Sequence, residues 1–510
     1  MDPIGGLLLG FEVLFTPENL VAGLLGAVIG TMTGVLPGIG PTGAMSLLLP
    51  LTFVMSPTAG LIMLAGIYYG SMYGGSTTAI LLRMPGEAAS IVTSIDGFQM
   101  SKRGRAGAAL AVAAIGSAVA GTIGVLLLML FAPTLAALAI NLAPPEYCLI
   151  ALLGLVALSF LSSGSRWKGL AMVALGLGIA TVGTDPTSGT SRFTFGSLEL
   201  SGGLDLVPIV MGLFGLAEVL KAVGSDERLP SVKGVKFREL FPSGREWKEA
   251  FPAIWRGSFL GFVLGLVPGP QNVISSFASY RLEKKLSKHP EEFGHGAIRG
   301  VAGPESANNA ATSGQMVPLL ALGIPFSATS ALLLAALQIQ NVQPGPLFIQ
   351  ANPAIFWGVI ASMYLGNLLL LILNLPLVGV WVSMLRIPQP ILLTLVTITM
   401  FVGAYSLNNR LFDVGVMVAF GFIGWALNKL KFDLAPLILA LVLGGFMETA
   451  FRQTMFLSRG DFGIFVARPV SGVLVAAIVL VMAIPLIQRL RNRNKQHAFA
   501  DARAGKEYQR

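Results

Sequence analysis

Two polar stretches interrupt an otherwise apolar chain, and their side chains suit the binding of an anion. They span residues 73–78 and 303–314. Hydroxyl and amide groups donate hydrogen bonds to carboxylate oxygens, and an arginine adds a charge-assisted pair. Polar groups are costly to leave unpaired in lipid, so these must face protein, water or ligand. Hydrogen bonds that join one helix to another are the alternative role. The predicted substrate-binding residues in and near these stretches are Ser76, Thr77, Arg83, Asn308 and Asn309.

Two proline–glycine turns add a second group of candidates. One turn contains Pro37 and Gly38, and the other contains Pro268 and Gly269. Each is followed by an apolar half-helix, whose free N–H groups and positive dipole end suit a carboxylate. Unwound carbonyls at Gly38 and Gly269 suit Na⁺, so these glycines are predicted cation-coupling residues, and kinks for close helix packing are the alternative. The turns also place these residues in the predicted substrate site: Gly38, Gly40, Thr42, Gln271 and Asn272.

Carboxylates near the polar stretches are candidates for ion coupling. Glu87 and Glu305 are the predicted coupling residues, and Asp96 lies close by in the sequence. A buried carboxylate carries a proton if desolvation keeps it neutral, or it neutralises Na⁺ if it stays charged. Both H⁺ and Na⁺ therefore remain candidates for the coupling ion. Asp96 precedes the basic residues at 102–105, which indicates a helix end at the membrane surface.

Composition places these residues in a membrane protein. The chain is 54% hydrophobic and only 12% charged, with a mean hydropathy of +0.75. Soluble proteins carry about 25% charged residues. A spanning helix needs about 20 apolar residues, and the apolar runs predict roughly nine to fourteen crossings plus re-entrant pieces. The net charge of +9 resides in segments between and after these runs, which indicates cytoplasmic loops and no nucleic-acid partner.

The chain repeats itself. Gly26, Gly30, Gly34, Pro37 and Gly38 recur at a constant offset of 231 positions, and residues 74–85 resemble residues 314–325 at an offset of 240. An insertion of nine residues within 281–299 accounts for the difference. Interrupted, duplicated helices are typical of secondary transporters, in which inverted and parallel repeats both occur. The predicted fold is an all-α polytopic membrane protein with two homologous, inverted repeats, broken helices and re-entrant hairpins.

The domain boundaries follow from the polar interruptions. We predict a first membrane repeat over residues 1–223, a polar inter-repeat linker over 224–251, a second membrane repeat over 252–488 and a basic cytoplasmic tail over 489–510. One conflict arises, because segments 221–256 and 281–299 are both basic yet flank what reads as a single crossing. Either residues 257–280 form a re-entrant hairpin or one loop breaks the positive-inside rule.

Other function classes lack their sequence signatures. The three histidines lie in polar segments, and no metalloprotease or nucleophile-elbow motif is present, so we expect no enzyme, no catalytic residue and no cofactor. No phosphate-binding loop for ATP is present either. No metal site is expected beyond a possible Na⁺ site. A passive organic-anion channel and a stand-alone carrier remain the alternatives.

Several long motifs resemble one known family. They are LPGIGPTGAMSLLLPLTF, YGGSTTAILLRMPGEAASIVTSIDGFQMSKRGRAGAAL and GPESANNAATSGQMVPLLALGIP, with an Asp185 stretch leading to RFTFG. These resemble the large membrane subunit of bacterial tripartite tricarboxylate transporters, the TctA family. The likeness extends over about residues 20–350. One departure is Phe326, where the family usually has glycine, and a ring there is expected to narrow the cavity.

The resemblance implies a function and partners. It implies import of a di- or tricarboxylate-type organic anion by symport with Na⁺ or H⁺ across the bacterial inner membrane. The implied partners are a small four-helix membrane subunit, TctB-like, and a periplasmic solute-binding protein, TctC-like. Which carboxylate is carried does not follow from the family.

Overall fold

The computed structural model describes residues 2–36, 40–161, 165–185, 187–223, 240–384 and 389–483. The predicted basic tail, residues 224–239 of the predicted linker, and Pro37 with Gly38 lie outside the described residues.

The described chain is helical apart from one small antiparallel ribbon, in which Gly183–Thr184 pairs with Ser191–Arg192. Short 3₁₀ turns occupy Leu49–Val54, Ala88–Ser90 and Pro290–Glu292, and a π-helical segment, Met211–Leu216, joins α10 to α11. The helices before residue 224 are α1 Pro3–Leu14, α2 Pro17–Val35, α3 Gly40–Leu48, α4 Pro57–Leu82, α5 Ile91–Lys102, α6 Ala106–Ala139, α7 Pro144–Leu161, α8 Arg166–Ala180, α9 Leu198–Ser201, α10 Leu206–Val210 and α11 Ala217–Val223.

The later helices begin inside the predicted linker, because residues 244–251 belong to the first of them. They are α12 Gly244–Gly265, α13 Gln271–Leu286, α14 Arg299–Gly314, α15 Met316–Leu322, α16 Ala328–Ile339, α17 Phe348–Ala351, α18 Pro353–Asn374, α19 Val378–Met384, α20 Gln389–Asn408, α21 Leu411–Lys429, α22 Ala435–Leu457, α23 Ile464–Ala467 and α24 Pro469–Ala483. Ser243 caps α12 through a reciprocal capping box with Glu246.

Six helices in the described part of the chain are long and apolar enough to cross a membrane. The prediction of an all-α polytopic membrane protein is therefore confirmed. Two helices near the polar stretches are shorter than the span of about 20 residues that a bilayer requires. These are α13 with 16 residues and α16 with 12 residues. The six candidate spans are Pro17–Val35, Ala106–Ala139, Leu206–Val223, Pro353–Asn374, Leu411–Lys429 and Ala435–Leu457.

Glycines allow two helix pairs to approach backbone to backbone. A Cβ atom at Gly30 of α2 would lie 2.5 Å from the Ile67 carbonyl oxygen of α4. A Cβ atom at Gly261 of α12 would lie 2.1 Å from the Ala307 carbonyl oxygen of α14. No side chain fits at these distances, so only glycine permits this close packing at the two positions. The two glycines are 231 positions apart and their two partners 240, the offsets found in the sequence.

The turns that follow α4 and α15 have matching backbone conformations. Arg83 and Gly323 both end their helices in the left-handed region, with φ of 59° and 72°. Glu87 and Ser327 then share φ of −146° and ψ of 163°, and each side chain accepts a hydrogen bond from a backbone N–H just ahead. Both pairs are separated by 240 positions. The sequence match therefore coincides with a local structural match.

Both proline–glycine turns separate two helices. In the first broken-helix unit, α2 ends at Val35 and α3 begins at Gly40. In the second broken-helix unit, α12 ends at Gly265 and α13 begins at Gln271. At Pro268 and Gly269, the loss of a backbone donor at proline and the freedom of glycine explain the interruption.

In each broken-helix unit, a residue of the first helix is hydrogen-bonded to a residue near the end of the unit. Arg256 near the middle of α12 donates two hydrogen bonds, of 2.7 and 2.6 Å, to Glu283 near the end of α13. In the first unit, the Glu18 carboxylate at the start of α2 accepts from the Ser56 N–H, 2.8 Å away, just after the unit ends. Arg256 and Glu283, at the facing ends of the two basic segments, are therefore in direct contact.

Helices α4 and α14 contact each other and run in opposite directions. Ser76 bonds to Glu305, whereas Tyr68, two turns earlier in α4, bonds to Gln315 just beyond the end of α14. Residue numbers therefore fall along one helix as they rise along the other. The two helices that match at an offset of 240 run antiparallel at their contact.

The glycine contact predicts a specific destabilisation. We expect Gly261→Ala to lower the thermal unfolding midpoint, because the new methyl group overlaps the backbone of α14, and overpacking of this kind costs about 1–3 kcal/mol. Gly415→Ala in α21 is the matched control, since nothing lies within 4 Å of a Cβ atom there. Alanine at that position favours helix by up to about 1 kcal/mol. An unfolding midpoint of Gly261→Ala equal to that of the unmodified protein would contradict the packing.

Candidate substrate and cation site

Asn272, in the first turn of α13, lies at the centre of a buried polar network. Its Nδ2 atom is 2.9 Å from Asn308 Oδ1 and 2.8 Å from Thr312 Oγ1. Its Oδ1 atom accepts from the Tyr68 hydroxyl at 3.1 Å and from Gln315 Nε2 at 2.9 Å. One amide thus joins α13 and α14 to α4, so two predicted site residues, Asn272 and Asn308, do lie together.

The network continues to the start of two further helices. Gln315 Oε1 accepts from the Ser327 hydroxyl at 2.6 Å, and Ser327 caps α16. Two residues later, Thr329 Oγ1 lies 3.2 Å from Thr42 Oγ1 on α3. The beginnings of α3, α13 and α16 therefore surround one polar region, and free N–H groups at helix starts are suited to anions.

Glu87 extends this region on its other side. Its Oε1 atom accepts from Asn308 Nδ2 at 3.0 Å, and its Oε2 atom accepts from the Ala89 N–H at 2.7 Å. The side chain is 9% exposed. It lies between the network and the turn after α4.

Glu305 is held by hydroxyl groups alone. Ser76 donates to its Oε2 atom, and Thr93 of α5 donates to its Oε1 atom. The residue is 1% exposed. Because Ser76 and Thr93 belong to the part of the chain before the linker, Glu305 joins the two parts directly.

Glu87 and Glu305 differ from the other buried carboxylates. Four of those carboxylates pair with arginine, and Asp96 accepts from three backbone N–H groups and a tyrosine hydroxyl. No salt bridge reaches Glu87 or Glu305 from any described residue. A buried charge without a counter-charge is costly. The arginine pairs are Glu146 with Arg468, Asp185 with Arg192 and Arg452, Glu283 with Arg256, and Asp413 with Arg410.

Asp96 lies in the middle of α5, although its sequence position had indicated a helix end. It is fully buried, and Tyr280 together with the loop at 294–297 surrounds its carboxylate. The burial was not expected because it comes from a loop in the later part of the chain. Outside the helices, the Thr187 N–H, the Ser188 hydroxyl and Arg452 hold the pKa of the Asp185 carboxyl well below its usual range.

The second proline–glycine turn packs against the turn before α16. The Phe326 carbonyl accepts from the Gly269 N–H and from Gln271 Nε2, both at 3.3 Å. Gly269 has φ of 137°, a conformation open to glycine. The Phe326 ring does not narrow the polar region as expected, because it lies in an apolar cluster that includes Leu155 and Leu443.

Of the remaining predicted site residues, some are buried near the network and others are not brought into it. Asn309 donates to Ser117 of α6 at 2.7 Å, and Thr77 is buried beside Glu305 at a small cavity. Gly40 begins α3 with φ of 62° and has open space around it. Arg83 is exposed and forms no salt bridge to a described residue, so the structure does not bring it into the network.

Several network residues escaped the sequence analysis. Tyr68 precedes Ser76 by two helical turns and so lies on the same face, a signal that the spacing contained. Ser327 begins a Ser-x-x-Ser cap, and Gln315 directly follows the second polar stretch. Thr93 carried no such signal, because only the packing of α5 on α14 reveals it.

Comparison with known proteins assigns the chain to a protein family. The pattern of the tripartite tricarboxylate transporter TctA family matches residues 20–439. The chain belongs to the TctA family. No solved structure matches it.

Two relatives from Agrobacterium vitis are similar to this TctA-family chain. One is described as an uncharacterized 52.8 kDa protein in the TAR-I ttuC' 3' region. It is 48% identical over 493 residues, which cover 97% of this chain and 98% of that protein. The other is an uncharacterized protein in the TAR-II ttuC' 3' region, 48% identical over 236 residues, which cover 46% of this chain and 98% of that protein.

The network predicts that Gln315 stabilises the fold. Gln315→Leu keeps the approximate shape but leaves Tyr68, Asn272 and Ser327 short of a partner. Each buried polar group left without a partner costs about 1–3 kcal/mol, so we expect a clearly lower unfolding midpoint in tryptophan-fluorescence melting. Gln338→Leu on α16 is the control, because that side chain is exposed. Equal midpoints for the two variants would mean that the network contributes little.

Proposed function

We propose that the chain is the large transmembrane permease subunit of a tripartite secondary transporter, driven by an ion gradient. Its cargo is a di- or tricarboxylate-type organic anion. A periplasmic solute-binding protein delivers the anion, and a small four-helix membrane subunit completes the complex in the bacterial inner membrane. The observation that carries the proposal is the network around Asn272, which joins both broken-helix units beside two buried carboxylates without cationic partners.

We propose further that residues 1–223 and 252–488 are inverted repeats, joined by the 224–251 linker, and that the broken-helix units are re-entrant hairpins. Three observations support this. The glycine contacts of α2 with α4 match those of α12 with α14 at the sequence offsets. The turns after α4 and α15 have matching conformations. Helices α4 and α14 run antiparallel, as an axis in the membrane plane would require.

The proposed binding site for the anion lies where α3, α13 and α16 begin. Asn272 and Asn308 are the amide side chains there, and Thr42 is a hydroxyl at the same place. N–H groups at the helix starts contribute positive potential without a fixed charge. A carboxylate bound in this way is held by dipoles and hydrogen bonds, which also permit its release.

Charge repulsion gives a physical basis for coupling. An anion bound near Asn308 would approach the Glu87 carboxylate, since Asn308 bonds to Glu87 at 3.0 Å. Two like charges 4 Å apart repel by about 4 kcal/mol at an effective dielectric constant of 20. A proton or Na⁺ at Glu87 or Glu305 removes that repulsion. The anion therefore binds well only when the coupling ion is present, and this is the condition for symport.

Uptake of a labelled organic acid tests the proposal. Cells that express the chain with its small subunit and binding protein should show saturable uptake that collapses when the Na⁺ and proton gradients are dissipated. Glu305→Gln should reduce uptake at least tenfold, because that position no longer offers a carboxylate to the coupling ion while Glu87 still repels the anion. Glu292→Gln, at an exposed glutamate, is the control and should transport normally.

Other outcomes point to the alternatives. Uptake that continues without any ion gradient and does not saturate would indicate a passive channel. Uptake that needs no added binding protein would indicate a stand-alone carrier. Either result would overturn the tripartite, gradient-driven assignment.

A further inference from the structure

A small cavity lies beside Glu305, away from Asn272. About 10 Å³ is available there to the centre of a water-sized particle. That is room for one small occupant, since a site for a single water needs about 10–15 Å³ by this measure. The cavity lies between α4, α6, α14 and α18. Its polar lining consists of Tyr73, Ser76, Thr77, Ser117, Glu305 and Asn374.

Oxygen atoms with unused acceptor capacity face this cavity. Asn374 is 3% exposed, and its Oδ1 atom has no hydrogen-bond partner among the described residues. Only its Nδ2 atom is engaged, as a donor to the Leu370 carbonyl at 2.9 Å and to the Thr31 hydroxyl oxygen at 3.5 Å. The Thr77 hydroxyl also lacks a partner within the described chain. A buried amide oxygen left unpaired is unusual and needs an explanation.

Among the described residues, Glu305 brings the one carboxylate that lines the cavity. Both Glu305 oxygens accept from hydroxyl groups, an arrangement that suits an ionised carboxylate. No arginine, lysine or histidine lines the cavity. An ionised carboxylate, an unpaired amide oxygen and hydroxyls together form the ligand set of a hard cation. One carboxylate balances one positive charge, and the confined space favours a small ion.

We propose that the cavity binds Na⁺ through Glu305, Thr77 and Asn374, with Ser76 and Ser117 completing the oxygen shell. The inference rests on the proposed function and deepens it, because it assigns the coupling ion and its site. The ligands come from four helices, α4, α6, α14 and α18, so the ion fixes their relative positions. Bound Na⁺ also neutralises Glu305, one helical turn from Asn308 and the proposed anion site.

Na⁺-dependent thermal stability tests this site without any partner or substrate. The purified chain in lipid nanodiscs is melted in NaCl and in choline chloride at equal ionic strength. A ligand that binds only the folded state raises the unfolding midpoint with its concentration. We expect such a rise with Na⁺, a smaller one or none with K⁺, and a half-saturating concentration of Na⁺ at least tenfold higher in Thr77→Val and in Asn374→Leu.

Thr78→Val is the matched control. Thr78 is the next residue on α4 and equally buried, but its hydroxyl bonds to the Gly75 carbonyl and does not line the cavity. This variant should keep the response of the unmodified protein to Na⁺. Each variant is compared with itself in choline chloride, so a general loss of stability does not imitate loss of the site.

Two results would overturn the site. One is a melting midpoint that does not depend on Na⁺, and the other is an equal Na⁺ response in Thr77→Val and Thr78→Val. Uptake that persists without Na⁺ but requires a proton gradient would refute the Na⁺ site and leave the transporter assignment intact. Loss of gradient dependence altogether would instead refute the proposed function.

Discussion

The structure depends on two carboxylates buried where the two parts of the chain meet. Glu87 and Glu305 have no cationic side chain beside them among the described residues, whereas Glu146, Glu283 and other buried carboxylates pair with arginine. An unpaired buried charge is unfavourable unless a proton or an ion neutralises it. The surroundings of the two carboxylates do not supply that charge. Such a site is electrically balanced only when a cation or a proton is bound, and an ion-coupled carrier needs a site with this property.

The rest of the fold explains how such a site stays assembled. Backbone contact at Gly30 and Gly261 holds α2 against α4 and α12 against α14, and larger side chains would separate each pair. Hydrogen bonds of Ser76 with Glu305 and of Tyr68 with Gln315 join α4 to α14, which run antiparallel. The broken-helix units then bring short helix starts to the same place. Packing by glycine thus positions the polar network, and the network in turn sets the positions of the carboxylates.

Much of this arrangement was predictable from the sequence, because membrane proteins confine polar residues to functional or packing positions. The repeated proline–glycine turns predicted the interrupted helices, and the polar stretch around Asn308 predicted a buried network. Individual partners were not predictable. Thr93 meets Glu305 only through the packing of α5, and Asp96 is buried by a loop that no local pattern associates with it. The apolar environment of the Phe326 ring also arises from distant helices, α7 and α22.

The central claim is that the two broken-helix units enter from opposite membrane faces and meet at this site. The variants Thr16→Cys and Lys284→Cys each place one exposed thiol near an end of a broken-helix unit. The native Cys148 is buried. Labelling with a membrane-impermeant maleimide in intact spheroplasts and in inverted vesicles measures the side of each. The account predicts labelling at residue 284 only from the cytoplasmic side and at residue 16 only from the periplasmic side. Labelling of both positions from one side would contradict it.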